Sequence, residues 1–383
     1  MVATVGLVGL RPHPDHVGSV TSPPYDVIKS GTPLEARLQG NTNSIYHVIL
    51  GESPVDALAR LRAEGILVED NEAAYYVYEQ RFGSEQRTGV FLAVEVSDYA
   101  KRQVIRHEKT FDEKVKGRIA LAKSTEHTIG PVLLLTRASL GEVFGKVKEA
   151  PPLYEFTSDF GPGTRLDGVK NKIWRVAEGS VEGQAIQAAI GEHPLYIADG
   201  HHRYHAALKG NQTHLLAYAT EEAKILAYDR VVNGVTSFAE IKDKLDLVPT
   251  ESFATPPKNS FCLYSKEGCW TLKAKEVPTD VVGRLDCAIL ERELYPHLGL
   301  KHEHIIDPAH FDYYPESALE DMKAVVNSGK YELAIALHPV AIDELMAVAD
   351  AGLENPDIVM PEKSTFFSPK ILTGLFLYRH EYL

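Results

Sequence analysis

The segment Asp199-Gly200-His201-His202-Arg203-Tyr204-His205 places a carboxylate, three imidazoles and a guanidinium within seven residues. An apolar run from Pro194 to Ala198 precedes it, and a helical pattern through Leu208 follows. Strand, tight turn and helix start is the layout that aims backbone N–H groups and a helix dipole at an anion. Gly200 lets the backbone approach a ligand closely. Arg203 can grip a phosphate or carboxylate through two parallel N–H groups. His201 or His202 can donate to phosphate oxygens or move a proton. Asp199 can accept a hydroxyl proton or hold Mg2+. Packing alone does not account for so many functional side chains side by side; a plain capped turn with surface histidines is the competing explanation.

Three further segments carry chemistry-bearing residues. In Arg106-His107-Glu108-Lys109-Thr110, an acid flanked by a base and a histidine can be a general base with its own electrostatic supports; such runs are more often solvated charged faces. In Met360 to Lys370, Lys363, Ser364 and Thr365 offer a cation and hydroxyls to a phosphate, and Phe366 or Phe367 can stack on a base. The glycines of a Walker A loop are missing there, and a Pro-bounded edge strand explains the pattern equally well. In Ser22 to Ile28, two prolines make a rigid loop presenting Tyr25 and Asp26. His201 and His205 stand four apart, a metal-ligand spacing on a helix, but the glutamate of a metalloprotease helix is absent.

These residues need elements to hold them. The patterning predicts a strand over Val2 to Leu10, a loop over Arg11 to Lys29 and a strand within Asn43 to Leu50. Pro54 to Glu64 reads as a helix, and Ala73 to Glu79 with Gly89 to Val96 as a hairpin. A helix over Asp112 to Lys123, a buried strand over Pro131 to Thr136 and an edge strand over Gly163 to Val176 follow. Val181 to Ile190 is helical, and His214 to Thr220 and Ala227 to Val232 read as strands. Thr255-Pro256-Pro257 is the best linker, dividing the chain into 1–254 and 255–383. Past it come a hairpin over Ser260 to Lys273, helices in Asp286 to His297, Glu316 to Asn327 and Ile342 to Ala351, and a strand in Tyr331 to Leu337. Alternating strands and helices indicate an α/β or α+β fold.

With 383 residues, the chain is long enough for two or more domains. Hydrophobic residues make up 44% and charged residues 24%, a globular balance. The net charge of −13 opposes binding to nucleic acid or an anionic membrane. Cys262, Cys269 and Cys287 form no metal-ligand spacing and read as reduced thiols, which together with the absence of a signal sequence points to the cytoplasm. Nothing in the composition fixes the oligomeric state.

Pro23-Pro24-Tyr25-Asp26-Val27, Arg106 to Thr110, Ala198 to Tyr204, and Lys363-Ser364-Thr365 with Phe366, Phe367, Pro369 and Lys370 occur in this order in one bacterial and archaeal family. On these motifs the chain resembles the family catalogued as domain of unknown function (DUF) 1015. Glu362 and Asn41-Thr42-Asn43 depart from the family pattern without touching the charged centre. The Gly200-His201-His202-Arg203 turn is also similar to the phosphate-binding turn of the ParB/sulfiredoxin superfamily. That resemblance implies a ParB/sulfiredoxin-like α/β core with a mixed sheet, elaborated by a C-terminal α/β region. The superfamily includes sulfiredoxins, CTP-hydrolysing chromosome-partitioning proteins and free-serine kinases. Sulfiredoxin needs a cysteine where His201 or His202 stands, and this acidic chain shows no basic DNA-binding region.

The resemblance therefore implies a small-molecule kinase using Mg2+ with ATP, ADP or another nucleotide, with free L-serine as acceptor. In that picture Glu108, Asp199 and His202 are catalytic. Gly200, His201, His202, Arg203, Lys109, Lys363, Ser364 and Thr365 bind phosphate or nucleotide. Tyr25, Asp26, Arg106 and His107 border the substrate, and Asp199 holds Mg2+. Two rivals remain: a metal-dependent hydrolase using Asp199, His201, His202 and His205, and a non-enzymatic nucleotide-binding regulator.

Overall fold

The computed structural model describes residues 2–110, 112–161, 164 and 166–380, with backbone alone at 112–114. It divides into two compact units, residues 1–223 with 369–383, and residues 224–368. Thr255-Pro256-Pro257 lies inside the second unit, because the strand Tyr228–Val232 already belongs to that unit's sheet. No helix among the described residues is long and apolar enough to cross a membrane.

The first unit is mixed α/β. Its main sheet runs in the order Val104–Ile105, Leu195–Asp199, Val132–Leu135, His214–Thr220, Glu85–Glu95, Ala74–Phe82, Lys170–Ala177, Tyr154–Thr157, with Thr4–Val5 pairing beside Glu85–Glu95. The predicted hairpin is its spine: Ala74–Phe82 and Glu85–Glu95 pair antiparallel across a two-residue turn at Gly83, whose φ is 59°. Alternation then sorts the side chains. Val77, Val90, Leu92, Leu134, Ile197 and Ala217 enter one apolar cluster, closed by Ile186 and Ile190 of the helix Val181–Gly191 and by Tyr204 and Ala207 of the helix His201–Lys209. Tyr76, Tyr78, Phe91 and Tyr218 stand on the opposite face, where Phe376 packs on Tyr76 and Phe91.

Three local expectations change. Val2 to Leu10 is not one strand but two, Thr4–Val5 and Gly9–Pro12, which serve different sheets. The chain switches at Gly6, where a Cβ would come within 2.8 Å of the Ala74 nitrogen. Asn43 to Leu50 holds a short helix, Tyr46–Ile49, rather than a strand. Asn41 Oδ1 accepts from the Asn43 N–H and Ser44 Oγ from the Tyr46 N–H, bonds that favour a helical start over an extended run of apolar residues. Lys170–Ala177 is an interior strand, flanked on both sides; the predicted start at Gly163 lies outside the described residues.

The second unit has a six-stranded antiparallel sheet in the order Leu247–Pro249, Gly268–Lys273, Ser260–Ser265, Leu333–Leu337, Tyr228–Val232, Phe311–Pro315. The helix Leu319–Ser328 buries Met322 and Val326 against Val231, Ala334 and Ala336. The ends of this unit, Lys224–Leu226 and Phe366–Ser368, pair with each other, so the chain leaves and re-enters it at neighbouring points.

Candidate functional site

Strand direction assembles the site. Leu195 and Tyr196 pair parallel with Val104 and Ile105, so both strands release their next residues at the same end of the sheet. One releases Arg106 to Lys109, the other Asp199 and Gly200. Val132–Leu135 is antiparallel to Leu195–Asp199 and therefore brings Gly130 to that end. Glu108 and Asp199, ninety-one positions apart in sequence, influence each other's ionisation here.

Gly200 turns the chain with φ 100° and ψ 27°, and the helix His201–Lys209 starts at once. Its missing side chain is filled by Arg203: a Cβ at position 200 would lie 2.8 Å from Arg203 Nε. Arg203 Nη2 stands 3.6 Å from Asp199, and the Lys370 ammonium donates to the other Asp199 oxygen at 2.5 Å. Lys370 also reaches Asp26 at 3.8 Å. Burial raises the Asp199 pKa, but Lys370 and Arg203 together hold it well below the ordinary carboxylate range. With Lys370 on one oxygen and Arg203 near the other, Asp199 is a poor proton acceptor in this arrangement.

Lys370 is placed by its own backbone. Arg87, 2% exposed in the strand Glu85–Glu95, donates to the Pro369 carbonyl at 2.6 Å, and Gln80 donates to the Lys370 carbonyl at 3.3 Å. Ser22 and Thr373 exchange backbone hydrogen bonds, tying the same segment to the loop that carries Tyr25 and Asp26.

His201 is buried, with both ring nitrogens turned toward protein groups. Its Nε2 accepts the His107 backbone N–H at 3.4 Å, and its Nδ1 faces Glu108 at 3.3 Å. An Nε2 that accepts leaves the proton of the neutral ring on Nδ1, where it donates to Glu108. His107 is fully buried, with its ring edge-on to His201 at 4.4 Å. Burial pushes its pKa down to about 3, so it is neutral. Burial raises the Glu108 pKa, but the neighbouring His201, which hydrogen-bonds the carboxylate, lowers it, and the group lies below the ordinary carboxylate range. Glu108 is 36% exposed, which leaves an ionised carboxylate open to a ligand and braced from behind.

His107, Glu108 and His201 are also a group whose ligand atoms lie within 4.8 Å of one another. The hydrolase reading expects Asp199, His201, His202 and His205 instead. Asp199 is paired with cations, and His205 stacks on Tyr99 at 6.1 Å, with Arg106 lying 4.8 Å from the ring centroid of that same tyrosine. A metal at Nδ1 of His201 would compete with the proton facing Glu108, the reverse of the usual histidine ligand, which donates its second N–H outward.

His202 is half-buried on the first helical turn and Lys109 is exposed. Lys363, Ser364 and Thr365 belong to the second unit. There the Lys363 ammonium sits 5.7 Å from the ring centroids of Tyr228 and Tyr313, and Ser364 is buried. Two residues of this site are not evident as such from the sequence: Lys370 stands within the motif that runs from Lys363, which is a signal, whereas Arg118 lies mid-helix and carries none.

Among solved structures, a free serine kinase in complex with AMP is similar at 14% identity and a TM-score of 0.39, over 74% of this chain and 92% of that one. A conserved hypothetical protein from Pyrococcus furiosus is similar at 12% identity and a TM-score of 0.35, over 76% and 94%. SbnI from Staphylococcus aureus, truncated at its C-terminus, is similar at 11% identity and a TM-score of 0.39, over 74% and 85%. No curated protein matches the sequence. The family described as "protein of unknown function (DUF1015)" matches residues 7–288, and the chain belongs to it.

Proposed function

We propose that the chain is a phosphotransferase that moves a phosphoryl group from a nucleotide to the hydroxyl of a small metabolite, with free L-serine as the first acceptor to test. The turn at Gly200 carries this reading. It lays a guanidinium across a helix N-terminus, beside an ammonium, while an open carboxylate stands on the parallel strand's exit. In this reading the donor's phosphates displace part of the Asp199 pairing and take Lys370 and Arg203 as partners. Glu108 orients the acceptor hydroxyl and receives its proton as the new P–O bond forms, while the donor's terminal phosphoanhydride bond breaks and the shortened nucleotide leaves with its electron pair. A carboxylate of low pKa suffices, since phosphoryl transfer depends chiefly on positioning and charge stabilisation. Any divalent cation enters with the nucleotide as part of the substrate.

The test is incubation of the purified protein with L-serine and each of ATP, ADP, GTP and CTP, with O-phosphoserine read by mass spectrometry. Product from the native chain, lost in Arg203→Ala and Glu108→Gln, supports the reading. Nucleotide binding without transfer to any acceptor of a panel points to the regulatory alternative. One equivalent of tightly bound zinc points to the hydrolase.

A further inference from the structure

Arg118 projects from the helix Asp112–Thr125, with its guanidinium carbon 4.0 Å from the ring centroid of Tyr25. Both residues line a cavity of about 60 Å³ that also touches Arg203, Gly130, Thr128 and Thr373, all within the first unit. The cavity is only half-enclosed, so an oxyanion group carried on a larger ligand can enter it.

Among the described residues that line it, the two permanently charged groups are both cations. Guanidiniums stay protonated in proteins. Burial lowers the Arg118 pKa and the nearby charge of Arg203 lowers it further, against opposing pulls from Tyr25 and Asp26. Asp199, the carboxylate paired with Arg203, is shared with Lys370. A Cβ at residue 130 would come within 3.0 Å of Arg203 Nη1 and push the guanidinium from its present place. Two half-buried guanidiniums meeting at one small cavity are stabilised by an anion between them.

We propose that Arg118 and Arg203 form an oxyanion site that takes one phosphoryl or carboxylate group of a substrate. Naming the ligand as a substrate rests on the phosphotransferase reading; the site itself does not.

Calorimetric titration of the full chain with inorganic phosphate, pyrophosphate, ATP, acetate and L-serine tests it, using Arg118→Met, Arg118→Lys and Gly130→Ala. Arg118→Met keeps the apolar stem, and Gly130→Ala narrows the cavity without removing charge. The expected result is a loss of anion affinity of about tenfold or more in Arg118→Met, with partial recovery in Arg118→Lys and a loss in Gly130→Ala. A loss confined to the phosphate-bearing ligands assigns the site to the phosphoryl donor, and one confined to acetate and L-serine assigns it to the acceptor. Affinities in Arg118→Met within about twofold of the native chain for every anion overturn the proposal, as does a native chain that binds none of them at millimolar concentration. Nucleotide binding that Arg203→Ala abolishes and Arg118→Met leaves unmoved removes this site and keeps the phosphotransferase reading. Arg118-dependent phosphate binding without nucleotide binding does the reverse.

Discussion

The two nitrogens of His201 do different work, and that division sets the chemistry of the site. One accepts from the His107 backbone, and the other holds Glu108. In the proposed reaction Glu108 orients the acceptor rather than the donor, so Glu108→Gln is expected to cut turnover by about 100-fold or more while leaving nucleotide affinity nearly intact. Steady-state kinetics beside equilibrium binding separate the two effects. The buried histidines also set acid stability. His107 is held down to about 3 and His380 to about 4, and His127 is lowered by burial as well. The unfolded chain takes up protons on these rings near the ordinary value of 6.5, whereas the folded chain does so only near 3 and 4. Stability from neutral burial is thus full above 6.5 and is lost as pH falls toward those folded values. The melting midpoint should drop steadily across that window. His107→Gln should flatten the slope without abolishing it, since His380 and His127 remain; an unchanged slope contradicts the buried neutral ring.

At the scale of elements, the turn and the C-terminal segment position everything else. Gly200→Ala places a Cβ against Arg203 at a φ of 100°, at a cost of about 1–2 kcal/mol in backbone strain alone. Denaturant unfolding should show that loss, and phosphate affinity should fall with it. Much of this was readable in the sequence: Leu195–Asp199, Gly200 and the helix after it follow from an apolar run, a glycine and a helical pattern. Other parts were not. Lys370 meets Asp199 across 171 positions, through a backbone held by Arg87 and Gln80, and no local pattern encodes such a contact. Arg118 was hidden by an ordinary helical context. The strand expected within Asn43 to Leu50 failed because two local side-chain-to-backbone hydrogen bonds outweighed the extended preference of its apolar residues.

At the scale of the molecule, the first unit is discontinuous in sequence. Residues 369–383 return to it after the second unit, bringing Lys370, the buried Phe376 and the strand Leu377–Arg379, which pairs with Gly9–Pro12 and His127–Thr128. Ending the chain after Ser368 should therefore unfold or strongly destabilise the first unit, as judged by circular dichroism, although every residue of the Gly200 turn is kept. A cooperative, native-like melt of that truncated chain contradicts the assignment of the segment to this core. The net charge of −13 makes the local cluster of Lys370, Arg203 and Arg118 stand out, and a small polyanion is the partner whose charge it matches. The most direct test is the melting midpoint of the native chain and Arg203→Ala with ATP, ADP, GTP, CTP and pyrophosphate, each with Mg2+. A ligand that binds the folded state alone must raise it. A rise with at least one nucleotide, lost in Arg203→Ala, is the predicted result; no rise with any of them at millimolar concentration contradicts a phosphate site at Gly200.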